Sequence, residues 1–172
     1  MFTTPEEVRG VVTGCIERFF ASEDGAAAAA AAAGLDMPAV VELRVLDPDV
    51  RVWIDVAGRR LLERPADPPA AEVTIEADAL HHLLLDRLGP VEISRLAEEG
   101  RVHLSGPPLV LGALLPLTAA IQPHYGALLE DEGRNDLLAV PGPPTAEVWQ
   151  SAEPPPGVIG VRRPWQRPRG AA

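Results

Sequence analysis

The chain has 172 residues and a net charge of −10, and all 15 of its basic residues are arginine. Without lysine, neither a Schiff-base mechanism nor a phosphate-loop lysine is available, and the acidic balance argues against nucleic acid, whose backbone is held by clustered positive charge. A lone cysteine, Cys15, forms no internal disulfide, and four scattered histidines give no zinc spacing, so no metal and no cofactor is expected.

In chain order, Glu6, Glu7 and Arg9 come too early for the charged-then-apolar form of a signal peptide. Residues 5–20 predict a helix instead. Thr4 caps it, Pro5 suits its first position, and Val8, Val12, Cys15, Ile16 and Phe19 recur at helical spacing. Eight alanines before Gly34 make a short helix or a linker.

Two alternating strands follow. Val41, Leu43 and Val45 share one face, as do Val50, Val52, Ile54 and Val56, and Asp47-Pro48-Asp49 turns the chain between them into an antiparallel hairpin. A third strand is expected over 60–63, a loop over 65–69, and a fourth strand through Val73 and Ile75. Asp78 is the expected cap of a helix carrying Leu80, Leu83, Leu84 and Leu88, ended by Gly89-Pro90. A second helix spans about 91–99, and Val102 and Leu104 mark the last strand.

The longest apolar run, 107–121, is 15 residues, short of the roughly 20 that span a bilayer. It reads as a helix kinked at Pro116, and the chain as a cytoplasmic protein. Residues 133–172 hold 8 of the 19 prolines and too few aliphatic residues for a core of their own. The division expected is therefore a domain over 1–132 and a tail over 133–172, docked or disordered. The tail's Trp149, Trp165 and arginines 162, 163, 167 and 169 suit docking on the acidic body or contact with anionic lipid, and docking or disorder is the expectation.

The order VVELRVLDPDVRVWIDV, AEVTIEA, ALHHLLL, ISRLAEEGRVHLSG and LVLGALLPLTAAI resembles the sterol carrier protein family over about residues 5–130, most strongly over 71–115. The chain departs from that pattern in the late Gly89, the polyalanine insert and the tail. The resemblance implies an α+β fold in which a mostly antiparallel five-stranded sheet, covered by helices, encloses an apolar tunnel. It also implies a hydrophobic small molecule as partner: a sterol, a fatty acid or an acyl ester.

The candidate ligand contacts are Trp53, Leu80, His81, Leu84, His103, Leu111, Leu114 and Leu115. His81 falls within the arc of Leu80, Leu84, Leu85 and Leu88, where it either meets a ligand's polar group or is a core histidine bonded to a carbonyl. Trp53 and His103 lie on strand faces opposite the aliphatic rows, so they line the cavity only if that face is the one beneath the helices. His81, His103 and Tyr125 are the candidate acid–base groups if the pocket serves an enzyme, such as an isomerase or cyclase. No G-x-S-x-G, phosphate loop or dinucleotide fingerprint occurs. Cys15 reads as a small buried hydrophobe, and the apolar helix 107–121 as a sheet-packing element, a tunnel lid or a homodimer face.

Overall fold

The computed structural model describes residues 2–34 and 40–141. Helix α1 (Pro5–Ala21) starts where Thr4 Oγ1 accepts from Glu7 N–H at 3.2 Å, while Glu7 Oε2 accepts from Thr3 N–H at 2.8 Å. The first bond satisfies one of the donors that the first helical turn leaves open, and the second ties the residue before the cap back to the helix. Ser22 ends α1 and starts α2 (Glu23–Ala33): its Oγ donates to Phe19 C=O at 2.6 Å and accepts from Gly25 N–H at 3.1 Å. The corner is so tight that a Cβ on Gly25 would lie 2.2 Å from Phe19 O, so only glycine fits without moving backbone. The polyalanine run is thus the body of a helix.

The sheet comprises β1 (Val40–Leu46), β2 (Val50–Asp55), β3 (Arg60–Leu62), β4 (Ala71–Glu76) and β5 (Val102–Ser105), in the order β3-β2-β1-β4-β5. The hairpin expected between β1 and β2 is present, with Leu43 opposite Val52. The sheet is mixed, however, which corrects the expectation of a mostly antiparallel one. β1 and β4 are parallel at its centre, and the other pairings are antiparallel. The proline-rich stretch 63–70 returns the chain from β3 at the edge to the start of β1, where Ala70 N–H donates to Val40 C=O at 2.8 Å. A strand's period of two is the same in either direction, so alternation alone could not reveal the parallel pair.

Helix α3 (Ala77–Leu84) follows β4 without a loop and with no side-chain cap, so Asp78 lies inside its first turn rather than capping it. Helix α4 (Pro90–Glu98) leads to β5. Gly106 then turns the chain at φ +144°, 2.9 Å from Ala70 O at the position a Cβ would take, a conformation closed to other residues.

The last long helix, α5 (Pro108–Asp131), runs through both Pro116 and Pro123. Each proline leaves one carbonyl of the preceding turn without its usual donor, those of Gly112 and Ala119, and both residues are exposed, so water can serve them. A short helix α6 (Asn135–Leu138) closes the body. Residues 133–141, expected in the tail, cover the domain: Leu137 is fully buried and Arg134 pairs with Glu7 at 2.6 Å. The tail's tryptophans and other arginines lie outside the described residues.

The core is aliphatic, as the composition required, with Phe19 and Tyr125 as its large fully buried aromatics. Helices α1 and α3 pack on the sheet, and α5 packs chiefly on α1, α3 and α6.

Candidate functional site

Because α5 rests on other helices rather than on strands, a cavity of about 110 Å³ is left between it and the sheet. The sheet provides the floor with aliphatic residues of its three inner strands: Val41 and Leu43 of β1, Ile54 of β2 with Val56 just past its end, and Val73 and Ile75 of β4. α1 contributes Val12, Cys15 and Ile16, and α3 contributes Leu80, Leu83 and Leu84. The roof is one side of α5, from Leu114 to Ile121. These spacings, three and four residues on the helices and two on the strands, are those that bring side chains to one face.

The wall is apolar and its few polar atoms are turned into the protein. Thr118 Oγ1 donates to Leu114 C=O at 2.9 Å, and Cys15 Sγ lies 4.0 Å from Ile121 O. Burial pushes the Cys15 thiol up to about 12, so it stays protonated and unreactive at neutral pH. Among the described residues, no charged side chain lines this cavity.

Of the ligand contacts expected from sequence, Leu80, Leu84 and Leu114 lie in the wall. Leu111 is half-buried, one turn before Leu114. Leu115 is in α5, and its side chain lies outside what the structure describes.

Trp53 and His103 are placed elsewhere. Trp53 is paired with Glu42 across β1–β2, and its Nε1 donates to Glu42 Oε2 at 3.0 Å, while His103 pairs with Thr74 and is exposed. Both are on the outer face of the sheet, because cross-strand partners share a face and the aliphatic rows occupy the other. Of the two placements left open, the helices cover the aliphatic rows.

His81 is fully buried but does not reach the cavity. Its Nδ1 lies 2.7 Å from Tyr125 Oη and its Nε2 3.1 Å from Leu137 O. Since a carbonyl only accepts, Nε2 carries the proton and Nδ1 accepts from the tyrosine hydroxyl. This is the core histidine of the two readings above, bonded to a carbonyl. Burial, and secondarily the neighbouring His82, push its pKa down to about 4, and burial raises that of Tyr125. At neutral pH both are uncharged and spent on each other. His124 packs edge-on against Phe19, away from the wall.

Sequence reasoning missed the hold on α6. Arg87, just past α3, donates to Leu138 C=O at 2.7 Å and also to Val140 C=O. Gln122 of α5 donates to Leu83 C=O at 2.8 Å. Arginine and glutamine so spaced carry no pattern that marks them as helix ties.

The fold and site together define an α+β domain with an apolar cavity between a mixed five-stranded sheet and its helices. Solved structures similar to the chain are sterol carrier protein-2 domains. Sterol carrier protein 2 from Yarrowia lipolytica, in its apo form, has a TM-score of 0.48 at 11% identity, covering 69% of this chain and 91% of that one. The UbiJ-SCP2 ubiquinone synthesis protein has a TM-score of 0.46 at 17% identity, covering 72% and 95%. Sterol carrier protein-2 like-3 from Aedes aegypti has a TM-score of 0.42 at 15% identity, covering 68% and 98%. No family model and no curated protein matches the sequence. No helix among the described residues is long and apolar enough to cross a membrane.

Proposed function

We propose that the chain binds a hydrophobic small molecule, of the fatty-acid or other lipid type, in the cavity beneath α5. The observation that carries this reading is the wall itself. It has no charged side chain among the described residues, and Thr118, its one hydroxyl, is hydrogen-bonded within α5. Such a space rewards hydrocarbon and penalises any buried polar group left unpaired.

The driving force is burial, about 0.8 kcal/mol per CH₂. Binding should therefore depend little on salt, since screening acts on charges. Catalysis needs an acid or base within reach of the substrate, and among the described residues of this wall the only titratable group is the protonated Cys15 thiol.

A straight-chain fluorescent fatty acid, titrated into the protein and followed in parallel by native mass spectrometry, tests the reading. One ligand per chain is expected. Leu114→Trp adds bulk to the roof at a half-exposed position, where overpacking can be relieved outward. It should keep the fold by circular dichroism and weaken binding at least tenfold. Unchanged affinity in that variant would place the ligand elsewhere.

A further inference from the structure

Helices α1, α3 and α4 send Val12, Leu80 and Leu96 into the core on the aliphatic side of the sheet. The other face keeps Glu72, His103 and Ser105 exposed. One row across that face runs Leu62, Trp53, Glu42, Glu72 and Ser105, from β3 to β5. At its centre two carboxylates stand in register on the parallel strands β1 and β4, which like charges disfavour. Glu42 is answered: its Oε2 accepts from Trp53 Nε1 at 3.0 Å, and its Oε1 lies 3.6 Å from Arg51. The side chain of Glu72 has no ion-pair or hydrogen-bond partner among the described residues. Beside the two carboxylates stands the half-buried indole of Trp53, with Leu62 next to it on β3. A ring next to a carboxylate without a counter-ion suits a guanidinium, which stacks on aromatic faces and donates to carboxylates.

The chain carries that group itself. Residues 161–169, VRRPWQRPR, lie outside the described residues and hold four arginines and no acid. Residues 1–141 hold 23 acidic residues against 11 arginines, so the body attracts a basic end at short range. The place where the described chain stops also fits. Arg87, just past α3, holds the carbonyls of Leu138 and Val140. Helix α3 is about 12 Å long and starts directly off β4. Glu72 lies four residues before the end of that strand, about 13 Å. Residues 142–160 span up to about 65 Å when extended, so the arginines reach the face with length to spare. A tether of this kind supplies them at on the order of millimolar effective concentration, enough to populate a weak contact.

We propose that segment 161–169 docks on the outer face of the sheet, with an arginine guanidinium on Trp53 and paired with Glu72. The in-register carboxylates thereby gain the counter-ion they lack, and the face without a helix is covered by the chain's own end. The contact is on the side of the sheet away from the cavity, so it is independent of ligand binding there.

The test uses the full chain with Ala171→Cys, which carries a nitroxide label; Cys15 is buried. Amide and indole N–H signals of the ¹⁵N-labelled protein then report which surface the label visits. Broadening should be strongest at the Trp53 indole and the amides of Glu72, Thr74 and His103, at least threefold above that at Gly112, Ala113 and Ala119 of α5. Salt at 0.5 M should reduce it. Glu72→Arg, and separately Arg162→Gln/Arg163→Gln/Arg167→Gln/Arg169→Gln, should each bring it down to the α5 level. Glu72 is exposed, so the fold should survive by circular dichroism. Glu130→Arg makes the same charge change at an exposed position of α5 and should leave the broadening unaltered. Broadening that is strongest elsewhere, uniform over the domain, indifferent to Glu72→Arg, or equally lost in Glu130→Arg would overturn the docking. So would broadening that passes from spin-labelled chains to label-free ¹⁵N chains in an equal mixture, since the contact would then come from a second copy.

Discussion

On one side of α3, Leu80, Leu83 and Leu84 face a space that no side chain among the described residues fills; on the other, His81 and the neighbouring Arg87 reach α5 and α6 through hydrogen bonds of 2.7 to 3.1 Å. The two sides are built by opposite means. Aliphatic contacts are non-directional, each atom pair gains little, and a gap costs mainly the contacts not made. Buried hydrogen bonds fix distance and angle, and a partner left alone costs its full desolvation. The polar corner therefore sets where α3 and α5 sit, and the apolar side can stay underfilled without the helices collapsing onto the sheet.

The largest effect should come from breaking that corner. His81→Leu keeps the volume but leaves Tyr125 Oη and Leu137 O buried without their present partner. At about 1–3 kcal/mol per orphaned group, a loss near 3 kcal/mol is expected, or roughly 6–12 °C in Tm for a chain of this size. The same variant should change the pH profile. His81 titrates near 6.5 when unfolded and near 4 when folded, so between those values the unfolded chain binds the extra proton. Stability is then full above about pH 6.5, falls as pH drops toward 4, and levels off below, a total of up to about 3 kcal/mol. His82, also lowered, acts in the same direction and keeps a smaller slope in the variant. Urea denaturation between pH 4 and 7 would read both proteins. An identical slope in the two would mean that the corner does not hold His81 neutral.

A smaller effect separates the two sides of α3. Arg87→Met removes the donors to Leu138 and Val140 carbonyls while keeping much of the stem. About 1–2 kcal/mol should be lost, expressed locally as faster hydrogen exchange at the amides of Leu138, Ala139 and Val140. Fatty-acid affinity should stay within twofold. A parallel fall in affinity would show that α6 and the cavity are coupled through α3, and that the contrast between its sides is structural only.

Much of this was legible in the chain, and where it was not the reason is physical. Periodicity located α1 and the strands, while the polyalanine of α2 has no period to read and α5 runs ten residues past the apolar stretch that marked it; a composition poor in aromatics announced an aliphatic core. Leu80, Leu84 and Leu114 followed from helical spacing. Trp53 and His103 were assigned to the cavity because alternation separates two faces without saying which one the helices cover. That depends on the returning strand β4, which places Val73 and Ile75 beside Leu43 and Val45. His81 lies within the apolar arc of α3, yet its partners come from 44 and 56 residues further on. A single helix pattern cannot tell a core acceptor from a ligand contact. Arg134, read as part of the tail, belongs to the body through Glu7, an ion pair between segments that nothing local connects.

The finest probe of the contrast is Thr118→Val, which replaces the one hydroxyl that the described residues give the wall by a methyl group of similar size. Oγ1 donates only to Leu114 C=O, a bond worth about 1 kcal/mol that the added apolar burial partly offsets. Stability should therefore move by less than about 1 kcal/mol, measured by urea denaturation. Affinity for a 16-carbon fatty acid should be unchanged or a few-fold tighter, because the part of the ligand inside the cavity offers the hydroxyl nothing to bond. A fivefold or greater loss would mean that a polar group of the ligand reaches Thr118. The apolar side of α3 would then be directional after all, and the ligand would enter head-first.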